Sequence, residues 1–305
     1  MSGGGEATRC GFVALLGAPN VGKSTLLNQL VGTKVSIVSP KVQTTRRRVL
    51  GITVRGDTQI VFVDTPGIFE PQKKLDRAMV DAAMQGGADS DVVSLVVDAS
   101  RGLDRRSERV LDRLARVERP RLLVLNKIDL VPPPQLLPLI DQANRRLPFA
   151  ATFLVSAERG DGCADLLAAL PQHLPHGPWL FPEDQLSDLS DRVLAAEITR
   201  EHLFRQLHEE LPYSLTVETE GYATAADGSE VRIDQTIYVR RGSQKAIVLG
   251  DGGRRIKQVG EAARTELEEL LGRRVHLFLF VKVREGWLDD PERYREMGLD
   301  WPGST

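Results

Sequence analysis

Gly17-Ala18-Pro19-Asn20-Val21-Gly22-Lys23-Ser24 has the form G-x-x-x-x-G-K-[ST], and it decides the reading of the first half of this 305-residue chain. An apolar run, GFVALL at 11–16, precedes it, and a helix-like stretch, 23–31, follows. Strand, glycine-rich loop and helix in that order make the motif a phosphate cradle. The glycines let successive backbone N–H groups turn inward, and the helix N-terminus adds a favourable dipole. Lys23 is placed to reach β- and γ-phosphates, and the Ser24 hydroxyl to ligate Mg²⁺; Thr25 continues the loop into the helix.

Outward from this loop, apolar runs alternate with amphipathic ones. Strands are expected at 11–16, 59–64, 92–98, 121–126 and 152–155, and helices at 23–31, 73–85, 105–117, 134–146 and 163–173. This alternation predicts an α/β domain with a mostly parallel, doubly wound sheet.

Three further motifs end expected strands. Asp64-Thr65-Pro66-Gly67 can hold Mg²⁺ through the Asp64 carboxylate and contact a γ-phosphate through the Gly67 N–H. In Asn126-Lys127-Ile128-Asp129, the Asp129 carboxylate can accept from guanine N1–H and the exocyclic amine. Adenine lacks that donor pair, and a buried acceptor left unpaired is costly, so the element selects guanine. Lys127 can cover the base plane and Asn126 can tie the loops together. Ser156-Ala157-Glu158 ends the next strand, with the Ala157 N–H available to guanine O6. The residue after the DTPG motif is Ile68, where Ras-like enzymes carry a Gln that orients the attacking water. Ile cannot do this, so hydrolysis needs another device or a partner; Asp64, Thr65, Pro66, Gly67 and Ile68 are together the nucleotide-binding candidates of this segment.

The pattern changes after His173. Residues 174–184 (LPHGPWLFPED) carry three Pro and a Gly, suggesting a boundary. An amphipathic run at 188–210 follows, then alternating runs at 214–219 and 231–239, a short element at 245–249, a helix-like run at 254–271 and an alternating run at 275–284. Gly250-Asp251-Gly252-Gly253 has the form G-x-x-G and is followed by Arg254, Arg255 and Lys257. A lone GxxG means little among 27 glycines; in this order of elements it suits a KH domain, whose loop clamps single-stranded RNA. Ile256 and Val259 are either an apolar floor for bases or core.

The whole-chain charge is −2, from 40 basic and 42 acidic residues. That sum conceals a basic segment: 240–257 holds six basic residues against one acidic, or +5. Acidic stretches offset it, with −4 over 183–191 and −4 over 285–300. No run approaches the roughly 20 apolar residues of a membrane span. Residues 1–9 lack the apolar core of a signal peptide, and two cysteines form no disulfide framework. A cytoplasmic protein is expected.

Gly17–Asn28 (GAPNVGKSTLLN), Gln43-Thr44-Thr45-Arg46 and Phe181-Pro182-Glu183-Asp184 resemble the Era family of bacterial ribosome-assembly GTPases, and the resemblance spans nearly the whole chain. It implies an Era-type G domain at 9–175 after a tail at 1–8, a linker at 176–186, a type II KH domain at 187–290 and a C-terminal tail at 291–305. In that KH type, 245–249 is a short helix; the residues alone equally allow a strand. The resemblance implies GTP and GDP as ligands with Mg²⁺, and a switch threonine at Thr45, with Thr44 as the alternative, completing a metal shell with Ser24 and Asp64. Lys23, Thr45, Gly67 and Asn20 are the catalytic candidates. Related GTPases with Asn at the position of Asn20 bind K⁺ beside the phosphates, which implies K⁺-accelerated turnover; the alternative is an Asn that braces the loop. The implied partner is the 3′ end of 16S rRNA within the 30S subunit, contacted by Gly250–Gly253, Arg254, Arg255 and Lys257. A monomer is expected, with peripheral association with the inner membrane as a family trait for which the sequence offers no clear amphipathic anchor. The competing reading is a KH RNA-binding protein with a mainly structural or very slow nucleotide site.

Overall fold

A computed structural model describes residues 8–71, 74–286, 291–296 and 298–303. Six strands form the first sheet: β1 (Arg9–Leu16), β2 (Val49–Arg55), β3 (Thr58–Asp64), β4 (Val92–Asp98), β5 (Arg121–Asn126) and β6 (Ala151–Val155). Their order is β2-β3-β1-β4-β5-β6, and every neighbouring pair is parallel except β2 with β3. Helices α1 (Lys23–Val31), α2 (Lys74–Asp89), α3 (Arg105–Leu114), α4 (Leu136–Arg146) and α5 (Cys163–Ala169) connect them. β3 and β4 are buried along their whole length, as strands covered on both faces must be. The Asp104 side chain caps α3, accepting from the Arg106 and Ser107 N–H groups. The nucleotide motifs all lie at the C-terminal ends of β1, β3, β5 and β6, the edge where ligands bind in open α/β sheets.

The second sheet has order β7-β8-β9, from β7 (Leu215–Thr224), β8 (Glu230–Val239) and β9 (Arg274–Val283). β7 pairs antiparallel with β8, and β8 pairs parallel with β9. Helices α6 (Asp191–Gln206), α7 (Gly242–Leu249) and α8 (Arg254–Leu271) pack on it; Ala196, Leu203, Val248, Val259, Ile237 and Val281 share one apolar cluster. The short element after β8 is a helix.

Several expectations need correction. The strand β2 was absent from the sequence reading. It is a hairpin partner of β3, and Gly51 breaks its apolar alternation because a Cβ there would lie 2.5 Å from Leu27. The expected linker at 176–186 is part of the first unit. The buried Gln59 side chain accepts from the Leu180 and Phe181 N–H groups and donates to the Phe181 carbonyl, while Trp179 and Phe181 pack against Leu50, Ile52, Val61 and Val63. The expected C-terminal tail contains helix α9 (Pro291–Glu296), with Tyr294 and Leu299 buried. Of the expected tail at 1–8, all but Thr8 lies outside the described residues, as do 287–290 of the expected KH span and the first residue of the helix expected at 73–85.

The chain divides into two compact units. One holds the described residues up to Ser36, Thr45–Asp188 and those beyond Glu296; the other holds Ile37–Thr44 and the described part of Leu189–Glu296. Within the second, Arg200 donates to the Thr44 carbonyl at 2.6 Å. Among the described residues no helix is long and apolar enough to cross a membrane.

Candidate guanine-nucleotide site and RNA loop

The loop from Gly17 to Ser24 joins β1 to α1. Gly22 stands at the helix N-cap with φ 95°, and no side chain caps the helix, so its first N–H groups face the loop. The Lys23 ammonium folds back on the loop, donating to the Gly17 carbonyl (3.3 Å) and the Ala18 carbonyl (3.2 Å). Burial pushes its pKa down to about 8, against the pull of the Asp64 charge.

Asp64 closes β3 and is fully buried. Its Oδ2 accepts from Ser24 Oγ (2.7 Å), Ser36 Oγ (2.9 Å) and Thr45 Oγ1 (3.4 Å), and Ser24 Oγ lies 3.0 Å from Thr45 Oγ1. Burial raises the Asp64 carboxyl above the usual carboxylate range, opposed by Lys23 and the three hydroxyls. Its other oxygen, Oδ1, is buried with no hydrogen-bond partner among the described residues. A buried carboxylate oxygen left unsatisfied amid hydroxyls is a hard-oxygen donor set that fits Mg²⁺. Thr45 reaches this cluster, whereas Thr44 Oγ1 is engaged by Ser39 (2.6 Å) and the Lys41 carbonyl (2.7 Å). Ser36 was missed by the sequence reading: a single serine between Val35 and Ile37 carries no motif signal.

Thr65 donates to the Leu15 carbonyl (3.0 Å), and the Ile68 N–H donates to the Gly17 carbonyl (3.0 Å), so the DTPG segment is stapled to the phosphate loop. A Cβ at Gly67 would lie 2.9 Å from the Pro19 Cα, a distance only glycine permits. Ile68 was expected among the nucleotide contacts. Its side chain is instead 2% exposed and packed in the core with Ala14, Leu16 and Ala83.

At the base-reading end, Asn126 donates to the Val21 carbonyl (2.9 Å) and accepts from the Lys127 N–H (2.8 Å) and the Ala157 N–H (3.0 Å). The Ala157 N–H, expected to be available to guanine O6, is therefore already shared with Asn126; tying the loops together takes precedence over leaving the donor open. Lys127 Nζ donates to the Asn20 carbonyl (2.9 Å). Asp129 is 3.8 Å from Arg159, and Glu158 is exposed beside them. Asn20 itself has φ 64°. Cys10 and Cys163 are buried free thiols; burial raises both, Cys163 to about 11, so neither is a thiolate nucleophile near neutral pH.

In the second unit, Gly250–Gly253 link α7 to α8, and Gly252 (φ 56°) and Gly253 (φ 78°) need the left-handed region that glycine tolerates. Arg254 and Lys257 are exposed at the start of α8, with Lys257 3.8 Å from Glu261. Arg255 is turned back onto the Ile247 carbonyl. Of the two floor candidates, Val259 is fully buried in the core and Ile256 packs against it, so both serve packing.

Comparison with known proteins places this geometry. Residues 12–127 match the family model "50S ribosome-binding GTPase", and 210–288 match "KH domain". The chain is 60% identical over 296 residues to GTPase Era of Mesorhizobium japonicum, covering 97% of this chain and 95% of that protein. It is 58% identical over 303 residues to GTPase Era of Brucella suis, covering 98% and 97%. The chain belongs to the Era family of GTPases. It therefore binds GTP and GDP with Mg²⁺ and hydrolyses GTP. Two solved Era structures each align with a TM-score of 0.89 at 42% identity, covering 95% of this chain and 99% of theirs: one in complex with MgGDPNP and nucleotides 1506–1542 of 16S ribosomal RNA, the other a variant of Aquifex aeolicus Era bound to GDP·AlF4⁻.

Proposed function

We propose that this Era-family GTPase is a switch that binds the 3′ end of 16S rRNA through the loop Gly250–Gly253 with Arg254 and Lys257, and assists assembly of the 30S subunit in the cytoplasm. The observation that carries the reading is the presence, in one chain, of the Asp64 hydroxyl cluster and a GxxG loop followed by Arg254, Arg255 and Lys257 at the start of α8. An Era relative with the same two domains was crystallised with MgGDPNP and a 16S rRNA fragment, which supports it.

In this reading Ser24, Thr45 and Asp64 hold Mg²⁺, which when bound neutralises charge on the β- and γ-phosphates. Thr45 is the switch residue in preference to Thr44, since its hydroxyl lies beside Ser24 and Asp64. Lys23 leaves its two loop carbonyls for phosphate oxygens and stabilises the charge that develops as water attacks. The Gly67 N–H senses the γ-phosphate. Asp129 reads guanine, and Lys127 covers it. Asn20 would hold K⁺ beside the phosphates, so turnover is expected to be faster in K⁺ than in Na⁺; equal rates with each ion varied alone would remove that part.

One observation favours a second reading, a KH protein whose nucleotide site turns over very slowly: Ile68 is buried apolar core where a water-orienting side chain would stand. Single-turnover GTP hydrolysis with and without a 16S 3′-end oligonucleotide separates the two. Acceleration by RNA supports the switch; a negligible rate in both cases supports the alternative. Crosslinking to cellular RNA tests the partner, and recovery of tRNA alone would overturn it.

A further inference from the structure

Asp98 carries no assigned role and belongs to none of the sequence motifs. It ends β4, where it pairs in register with Asn126 at the end of β5, and the Ala99 N–H donates to the Asn126 carbonyl (2.8 Å). The side chain is 4% exposed. Its Oδ2 accepts from Lys127 Nζ at 2.6 Å, the same ammonium that donates to the Asn20 carbonyl. Its Oδ1 accepts from the Ser100 N–H (3.0 Å) and Ser100 Oγ (2.5 Å), and the exposed Arg101 guanidinium stands 3.7 Å away.

Lys127 occupies an uncommon conformation. Its φ is 64°, in the left-handed region that a long side chain rarely adopts, and it begins the 3₁₀ turn Ile128–Leu130 that carries Asp129. Such a conformation persists only where its surroundings over-determine it. Two groups seize this ammonium: a phosphate-loop carbonyl and a buried carboxylate. The carboxylate is the stronger, because it pairs opposite charges at 2.6 Å whereas the carbonyl acceptor is neutral. Burial alone would raise the Asp98 carboxyl, but the hydrogen bonds from Lys127 and Ser100 outweigh it and hold the group below its usual range.

We infer that Asp98 is a positioning residue for guanine-nucleotide binding: it clamps the Lys127 ammonium, and through it sets both the loop carrying Asp129 and the Asn20 end of the phosphate loop. The inference rests on the reading of Asn126–Asp129 as the guanine-binding element. A bland alternative is that Asp98 only closes the β4–α3 turn through Ser100.

A double-mutant cycle on the full chain separates these, with GDP affinity as the readout. Asp98→Asn is expected to weaken GDP binding at least tenfold in the parent, and by less than twofold in a Lys127→Ala background, since its effect runs through that ammonium. Ser100→Ala is expected to change affinity less than threefold. If Asp98→Asn costs the same factor with and without Lys127, or changes affinity less than twofold in the parent, the inference is overturned. If Lys127→Ala and Asp129→Ala both leave GDP affinity unchanged, the guanine-site reading itself fails, a result distinct from the first. Should Asp98→Asn not fold, the cycle runs with Asp98→Glu, which keeps the charge and displaces it; the same loss of effect in the Lys127→Ala background is required.

Discussion

Lys23 is a buried cation with two carbonyls for company and a pKa pushed down to about 8. Phosphate oxygens favour its charged form, so the bound-state pKa lies higher than the free one, and above pH 8 binding must take up a proton. GDP affinity should therefore be flat below pH 8 and weaken above it, by up to about tenfold per pH unit until the bound-state pKa is reached. A titration of the dissociation constant from pH 7 to 10 checks this; affinity that improves with pH would contradict it. Ser36 makes a second prediction. It supplies one of three hydroxyl hydrogen bonds to the Asp64 carboxylate, and a hydrogen bond to a charged group is worth about 1.5–3 kcal/mol. Ser36→Ala should raise the Mg²⁺ concentration needed for half-maximal hydrolysis about tenfold, measured by titrating Mg²⁺ at fixed GTP. The legibility of the site follows the same chemistry. Lys23, Ser24, Asp64, Asn126 and Asp129 sit in contiguous motifs whose spacing the sheet edge imposes. Ser36 and Asp98 act through single side chains brought near by the fold, and a lone Ser in a loop or a lone Asp at a strand end looks like any other.

At the scale of elements, the segment after His173 is the informative case. Its Pro-rich composition reads as a spacer, yet Trp179 and Phe181 cover apolar surface of the first sheet and Gln59 satisfies the backbone of Leu180 and Phe181. A buried Gln making three such bonds is an element-joining residue, and its replacement by Leu strands those backbone groups. Gln59→Leu should lower stability by about 2–4 kcal/mol, read by chemical denaturation. Loss of under 0.5 kcal/mol would mean the segment is not held there. The regular strands and helices of the first sheet were legible because both-face burial writes continuous apolar runs. Strand β2 was not, because Gly51 makes room for Leu27 at the cost of the alternating pattern. Likewise Pro291–Glu296 reads as a polar tail, and only Tyr294, which is buried, betrays a packed helix.

For the whole molecule, a net charge of −2 is a poor guide to partners. Six basic residues against one acidic gather at 240–257, and of these Arg254 and Lys257 are exposed at the loop while Arg255 serves the Ile247 carbonyl. Arg255→Ala should therefore perturb the α7–α8 corner as well as binding, whereas Arg254 and Lys257 should act on RNA alone. Phosphate contacts release counterions, so affinity should fall linearly with log salt, and replacing both residues should flatten that slope by roughly one to two. The most direct test of the account is the affinity for an oligonucleotide of the 16S rRNA 3′ end, compared with a scrambled one, for the parent and for Arg254→Glu/Lys257→Glu with GDP affinity as the folding control. Preference for the 16S sequence, a loss of at least tenfold in the double variant and unchanged GDP affinity are expected. Equal binding of both oligonucleotides, or undiminished binding by the variant, would contradict it.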